Sequence, residues 1–127
     1  MSPREGATLA AATRGEGRGY LVYVLRCRDG TLYSGITTDI VRRLGEHRLG
    51  GPRAAAYTRS HGVEALVALW EAPDRSWASR LEWRLHHLTR GRKLWLVAHP
   101  AQAGEPFRPL GPDALERAWR SVPGQDV

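Results

Sequence analysis

The fold class predicted by the sequence is an α/β sandwich: one small sheet, mixed or antiparallel, of three strands or four, flanked by helices in the order β-β-α-β-α-β. Three observations lead there. Strand-forming residues flank an Asp29-Gly30 turn signal between 20 and 37, amphipathic helical patterns cover 40–49 and 77–90, and a compact apolar run, ALVALW at 65–70, lies between those patterns. A chain of 127 residues, 42% of them hydrophobic, has room for one domain with a modest core.

Residues 1–19 show no sustained period and contain Gly6, Gly15, Gly17 and Gly19, so they read as a flexible arm. Order is expected from Tyr20. YLVYVLRC at 20–27 and TLYSGIT at 31–37 form a hairpin whose turn leaves two registers open. A two-residue loop, Asp29-Gly30, pairs Tyr33 with Arg26 and sends Tyr23 and Tyr33 to opposite faces. A three-residue loop, Arg28-Asp29-Gly30, puts Gly30 in a left-handed bulge, pairs Cys27 with Thr31, sets Gly35 across from Tyr23, and brings both tyrosines to one face. A glycine at that place would leave the Tyr23 phenol open to a ligand.

Thr37, Thr38 or Asp39 caps the first helix, in which Ile40, Val41, Leu44 and Leu49 recur at helical spacing. Gly45 within it implies a close neighbour. A Gly/Pro/Arg loop at 50–56 precedes EALVALWEA at 64–72, a buried strand. Ser76 opens a second helix over 77–90, with Trp77, Leu81, Leu85 and Leu88 on one face and Gly91 as its stop. LWLV at 94–97 is expected to be the last strand. Residues 98–127 form a Pro-rich extension with one short amphipathic helix at 113–122. Trp70, Trp77, Trp83 and Trp95 are assigned to the core or its margin, and Trp119 to anchoring the tail.

The charge points to a polyanionic partner. Net charge is +6, with eighteen arginines and one lysine, Lys93. Residues 19–97 carry thirteen basic against seven acidic side chains, while the flanks contribute +1 and −1. Guanidinium grips phosphate with two parallel hydrogen bonds. One cysteine, Cys27, excludes an internal disulfide and no apolar run spans a bilayer, so a soluble, cytoplasmic protein is expected, without a membrane partner. Adjacent His86 and His87 diverge on a helix, and no zinc set exists.

Arg43 and His47, four residues apart, project from one side of the first helix beside the hairpin. Arg42 and Glu46 are a candidate surface pair, and Glu82 lies on the second helix with His86 one turn along.

Together these residues resemble the GIY-YIG nuclease domain, particularly its small stand-alone bacterial members. The two motifs appear as Leu21-Val22-Tyr23 and Tyr33-Ser34-Gly35, the helix pattern as Arg43 and His47, and the family's metal-binding Glu as Glu82 within ASRLEWRL. AYTR at 56–59 also looks like the stand-alone group. The resemblance covers residues 20–97, with departures at Leu21, Ser34 and His86 and no Asn anywhere in the chain.

It implies a metal-dependent endonuclease acting on DNA, with a role in repair or recombination. Glu82 would anchor Mg²⁺ or Mn²⁺, an ion that keeps several waters and so needs few carboxylates. Arg43 would hold the scissile phosphate, one of Tyr23 and Tyr33 would be the base or orient the water, with Tyr23 favoured, and His47 would relay the proton or bind phosphate. Arg42, Arg48, Arg53, Tyr57 and Arg59 would line the nucleic-acid approach. So small a chain is expected to favour branched, flap or single-stranded DNA, or to take its target from a protein partner. The rival function is a nucleic-acid-binding module on the same scaffold without turnover.

Overall fold

The computed structural model describes residues 19–49 and 55–122. The elements run β1 (Tyr20–Cys27), β2 (Leu32–Thr37), α1 (Ile40–Leu49), α2 (Ala56–His61), β3 (Val63–Ala72), α3 (Arg75–His87), α4 (Arg90–Ala98), a 3₁₀ turn (Pro100–Ala103), β4 (Arg108–Pro109) and α5 (Pro112–Arg120). The four strands form one antiparallel sheet in the order β2-β1-β3-β4. The expected arm at 1–19, apart from Gly19, and most of the 50–56 loop, with Arg53, lie outside the described residues.

The hairpin takes the three-residue loop. Cys27 N–H donates to Thr31 O at 2.8 Å, Gly30 N–H donates to Cys27 O at 2.9 Å, and Gly30 has φ +84°, which disfavours any residue with a side chain. Tyr33 therefore pairs with Leu25 and Gly35 with Tyr23. Since side chains alternate along a strand, both tyrosines emerge on one face.

That face is covered by α1 and α5. Leu21, Tyr23 and Leu25 pack with Ile40, Leu44, Leu69, Leu110, Ala114, Ala118 and Val122, with Tyr33 and Trp119 at the margin. On the other face Val22, Val24, Ala68 and Trp70 meet Ala78, Leu81 and Leu85 of α3 and Leu96 of α4. Two apolar layers thus enclose β1 and β3, whose runs are accordingly apolar on both faces.

Several expectations are corrected. LWLV is not a strand: residues 90–98 are helical, because the Thr89 side chain accepts from Arg92 N–H at 3.3 Å and caps a new helix. Within it only Leu96 is buried while Leu94 and Trp95 face outward, a one-sided pattern that a short apolar run conceals. Gly91 lies inside this helix, and the preceding one ends at His87, where Leu88 turns extended. Its cap is Asp74 rather than Ser76, accepting from Trp77 N–H at 2.9 Å. The fourth strand comes instead from Arg108–Pro109, at the sheet edge where a missing proline N–H is tolerated. Leu49 is exposed, as are Trp83 and Trp95; only Trp70 among the four tryptophans is deep in the core, its indole donating to Pro100 O at 2.8 Å.

Candidate active site

The strand pairing and α1 converge on one buried phenol. Asp39 caps α1 by accepting from Arg42 N–H at 3.1 Å, and this start sets Arg43 and His47 one turn apart above β1. Arg43 Nε donates to the Tyr23 hydroxyl at 3.3 Å, and that hydroxyl lies 2.9 Å from His47 Nε2. His47 Nδ1 lies 2.7 Å from Thr58 Oγ1 on α2, which in turn donates to Ala55 O at 3.1 Å.

The proton positions in this chain follow from its two ends. Arg43 can only donate, and the Ala55 carbonyl can only accept. Thr58 spends its hydroxyl proton on Ala55, so it accepts from His47 Nδ1–H. The neutral imidazole then has only Nε2 as acceptor, and Tyr23 donates to it. Every buried polar atom along the chain is satisfied in one direction, Arg43 to Tyr23 to His47 to Thr58. Electrostatics agree. Burial pushes the Tyr23 phenol up to about 12 against the opposing pull of Arg43, and burial, aided by the Arg43 charge, holds His47 down to about 4.

Gly35 works differently from the sequence expectation. A Cβ there would fall 2.6 Å from Tyr23 Cζ and within contact distance of the hydroxyl, so the ring lies across the glycine and fills the space. Gly35 therefore does not open a ligand cavity beside the phenol; it lets the phenol lie flat enough to reach His47 and Arg43.

Around this centre the other expected residues divide. Tyr33 presents its ring to the edge of His47 at 5.4 Å and stacks on Tyr57 at 5.9 Å, and among the described residues its hydroxyl makes no hydrogen bond. Tyr57 stacks in turn on His61 at 4.0 Å, and His61 Nδ1 meets Asp29 Oδ2 at 2.5 Å, tying α2 to the hairpin loop. Arg43 pairs with Glu46 at 2.9 Å, the partner the sequence had given to Arg42. Arg42 and Arg59 are exposed, while Arg48 lies over the Trp119 ring at 4.8 Å and is drawn toward α5.

Glu82 is not drawn into this cluster. It sits half-buried on α3, which packs on the opposite sheet face, and among the described residues it makes no hydrogen bond or ion pair. The described residues include no group of three His, Cys, Asp or Glu able to cage a metal. A lone carboxylate such as Glu82 fits an ion that keeps most of its waters and takes oxygen ligands.

Residues 19–94 match the family model described as the GIY-YIG catalytic domain. The chain belongs to the GIY-YIG family. Its relatives include the UPF0213 protein BH0048 of Halalkalibacterium halodurans, 43% identical over 62% of this chain and 82% of that protein. A UPF0213 protein of Xanthomonas campestris pv. campestris is 42% identical over 72% of this chain and 91% of its own length. The solution NMR structure of the UPF0213 protein BH0048 from Bacillus halodurans shares 40% identity, covering 69% of this chain and 88% of that one, with a TM-score of 0.42. GIY-YIG membership makes this a nuclease-like domain of an endonuclease family that acts on DNA and generally uses a divalent metal. No described helix is long and apolar enough to cross a membrane.

Sequence reasoning did not reach Thr58 or the Arg43–Glu46 pair. The only signal for Thr58 was its place inside AYTR.

Proposed function

We propose that the protein is a divalent-metal-dependent endonuclease that hydrolyses phosphodiester bonds in branched, flap or single-stranded DNA, in repair or recombination. The observation carrying this reading is the directed chain Arg43–Tyr23–His47–Thr58, which ends at a cation suited to phosphate and contains an acceptor for the phenol's proton.

Phosphodiester hydrolysis needs a clamp on the phosphoryl oxygens and a group to take the water's proton. Arg43, oriented by Tyr23 and Glu46, supplies the clamp as a planar fork. Tyr23 is protonated at neutral pH, so it accepts a proton from water only by passing its own to His47 Nε2, which sits in line to receive it. Burial is the larger cause of the low His47 value, and a phosphate anion on Arg43 offsets the smaller one, the Arg43 charge, making the imidazole a better proton acceptor. Tyr33, with its hydroxyl unengaged, is placed to orient the water or a phosphate oxygen. Glu82 would hold the metal, and a bound ion would supply charge relief at the leaving oxygen. Arg42, Arg59 and Tyr57 support the approaching strand.

The high Tyr23 pKa and the separation of Glu82 from the phenol favour the second reading, a binding module without turnover. One experiment decides: labelled duplex, single-stranded and branched DNA are incubated with Mg²⁺, Mn²⁺ or chelator, using wild type, Arg43→Ala and Glu82→Gln. Metal-dependent cleavage lost in both variants supports the nuclease; salt-sensitive binding with no cleavage on any substrate supports the module.

A further inference from the structure

A second concentration of cations and aromatic rings lies on α3 and α4, on the far side of the sheet from Tyr23. Trp83 and Trp95 are 60% and 52% exposed, leaving much of each indole in contact with water. Each is stacked by the histidine one turn on, Trp83 by His87 at 3.9 Å and Trp95 by His99 at 4.8 Å. In both pairs the histidine Nδ1 meets the tryptophan's own carbonyl, at 2.8 and 2.9 Å, so the donor can only be Nδ1–H. The same Trp-x₃-His unit therefore occurs on two successive helices, with the stacking histidine ring anchored before any ligand arrives.

Arginines surround these rings. Arg75, Arg80, Trp83 and Arg84 line a groove of about 760 Å³ along α3, and Arg84, Arg92 and Trp95 line a second of about 540 Å³. Arg84 borders both grooves, its guanidinium held there by donating to Ala103 O at 3.0 Å. Exposed side chains on the two helices include five arginines and no acid, Glu82 being half-buried.

We propose that this α3–α4 face is a second nucleic-acid site, a track on which a single strand stacks bases on Trp83 and Trp95 and lays phosphates on Arg80, Arg84 and Arg92. Charge selects a polyanion, and exposed indoles select bases with free faces, which a duplex does not offer. The inference rests on the nucleic-acid reading above and adds to it: DNA with a single-stranded arm is gripped at two places, one on each side of the sheet.

The test measures fluorescence anisotropy of a labelled oligothymidylate with the full chain, in chelator. Trp83→Ala with Trp95→Ala is expected to weaken binding at least about tenfold, and the corresponding Trp→Phe pair to retain most of the affinity. Arg80→Ala with Arg92→Ala should lower the slope of log affinity against log salt by about 1.4. In cleavage of flap DNA the Trp→Ala pair should raise KM and leave kcat unchanged. Wild-type oligonucleotide affinity in the Trp→Ala pair overturns the proposal, whether or not the chain cleaves DNA. So does self-association or protein binding abolished by those substitutions while oligonucleotide affinity stands, which would make the face a protein interface. Trp-dependent binding without cleavage of any substrate sustains this site and removes the nuclease reading instead.

Discussion

Tyr23 and His47 meet at 2.9 Å with both side chains neutral, the phenol held to its proton and the imidazole kept from gaining one. Neither state is that of an isolated side chain in the acid or alkaline range. Burial raises one group and lowers the other, so a single proton sits on the tyrosine with a prepared place to go. Tyr23→Phe removes that proton and leaves the His47 acceptor unsatisfied; Tyr33→Phe breaks no hydrogen bond among the described residues. We expect Tyr23→Phe to lower both stability, by about 1–3 kcal/mol, and cleavage, and Tyr33→Phe to lower cleavage alone, as read by chemical denaturation beside the DNA assay.

Gly35→Ala tests the close approach. The added methyl would meet the Tyr23 ring carbon at 2.6 Å, and that ring is enclosed by Leu21, Leu25 and α1, so it cannot swing away freely. Overpacking of this kind costs about 1–3 kcal/mol and should displace the hydroxyl from His47. In a Tyr23→Ala background the clash is gone, so the two substitutions should be strongly non-additive in denaturation midpoints. Additive losses would show that the glycine matters for some other reason.

Thr58→Val keeps the shape and removes the oxygen that accepts from His47 Nδ1–H. A buried donor left unsatisfied costs about 1–3 kcal/mol. Thr58→Ser keeps the oxygen and should keep most of the stability. The imidazole ring nitrogens should report the change in NMR, since nothing then fixes the tautomer that accepts from Tyr23.

The sequence disclosed these parts unevenly, for physical reasons. The hairpin was readable because alternation and a turn glycine leave few registers, and the Tyr23–Gly35 pairing follows from the register with the Gly30 bulge. Helical spacing put Arg43 and His47 on one side of α1, and the resemblance to the family singled them out. LWLV failed because four apolar residues have no resolvable period, so the cap at Thr89 and the outward turn of Trp95 had to decide the helix. Thr58 was invisible because its role depends on α2 folding back onto α1, a contact between elements that no local pattern encodes. Glu82 was legible as a residue of the family pattern, yet its position across the sheet was not.

Arg43 and Glu82 should separate in their readouts. Arg43 is bonded to Tyr23 and Glu46, so Arg43→Ala disturbs the chain and should lower kcat by about 10²–10³. Glu82→Gln breaks no hydrogen bond among the described residues and should leave stability within about 0.5 kcal/mol. Its effect should appear in the metal titration, as a rise in the Mg²⁺ concentration that gives half-maximal rate. An unchanged titration would remove Glu82 from the metal site.

The shifted groups also predict the pH dependence of folding. In the unfolded chain His47 titrates near 6.5 and in the fold near 4, so between these values the unfolded state binds more protons. Its contribution is complete above pH 6.5 and is lost as pH falls toward 4, by roughly 3 kcal/mol. Tyr23 gives the opposite limb. Its folded value of about 12 exceeds the unfolded 10, so its contribution is complete below pH 10 and is lost as pH rises toward 12. Asp29, held down to about 2 by hydrogen bonds from Thr31 and His61, adds a further loss only below its ordinary value of 3.8. Burial also raises the Cys27 thiol above its ordinary value of 9.0, so its contribution begins to be lost above that pH, and denaturation at stepped pH should show a plateau between about 6.5 and 9. His47→Gln should flatten the limb between 6.5 and 4 while sparing the lower one, because the glutamine amide can still accept from Tyr23 but cannot take up a proton.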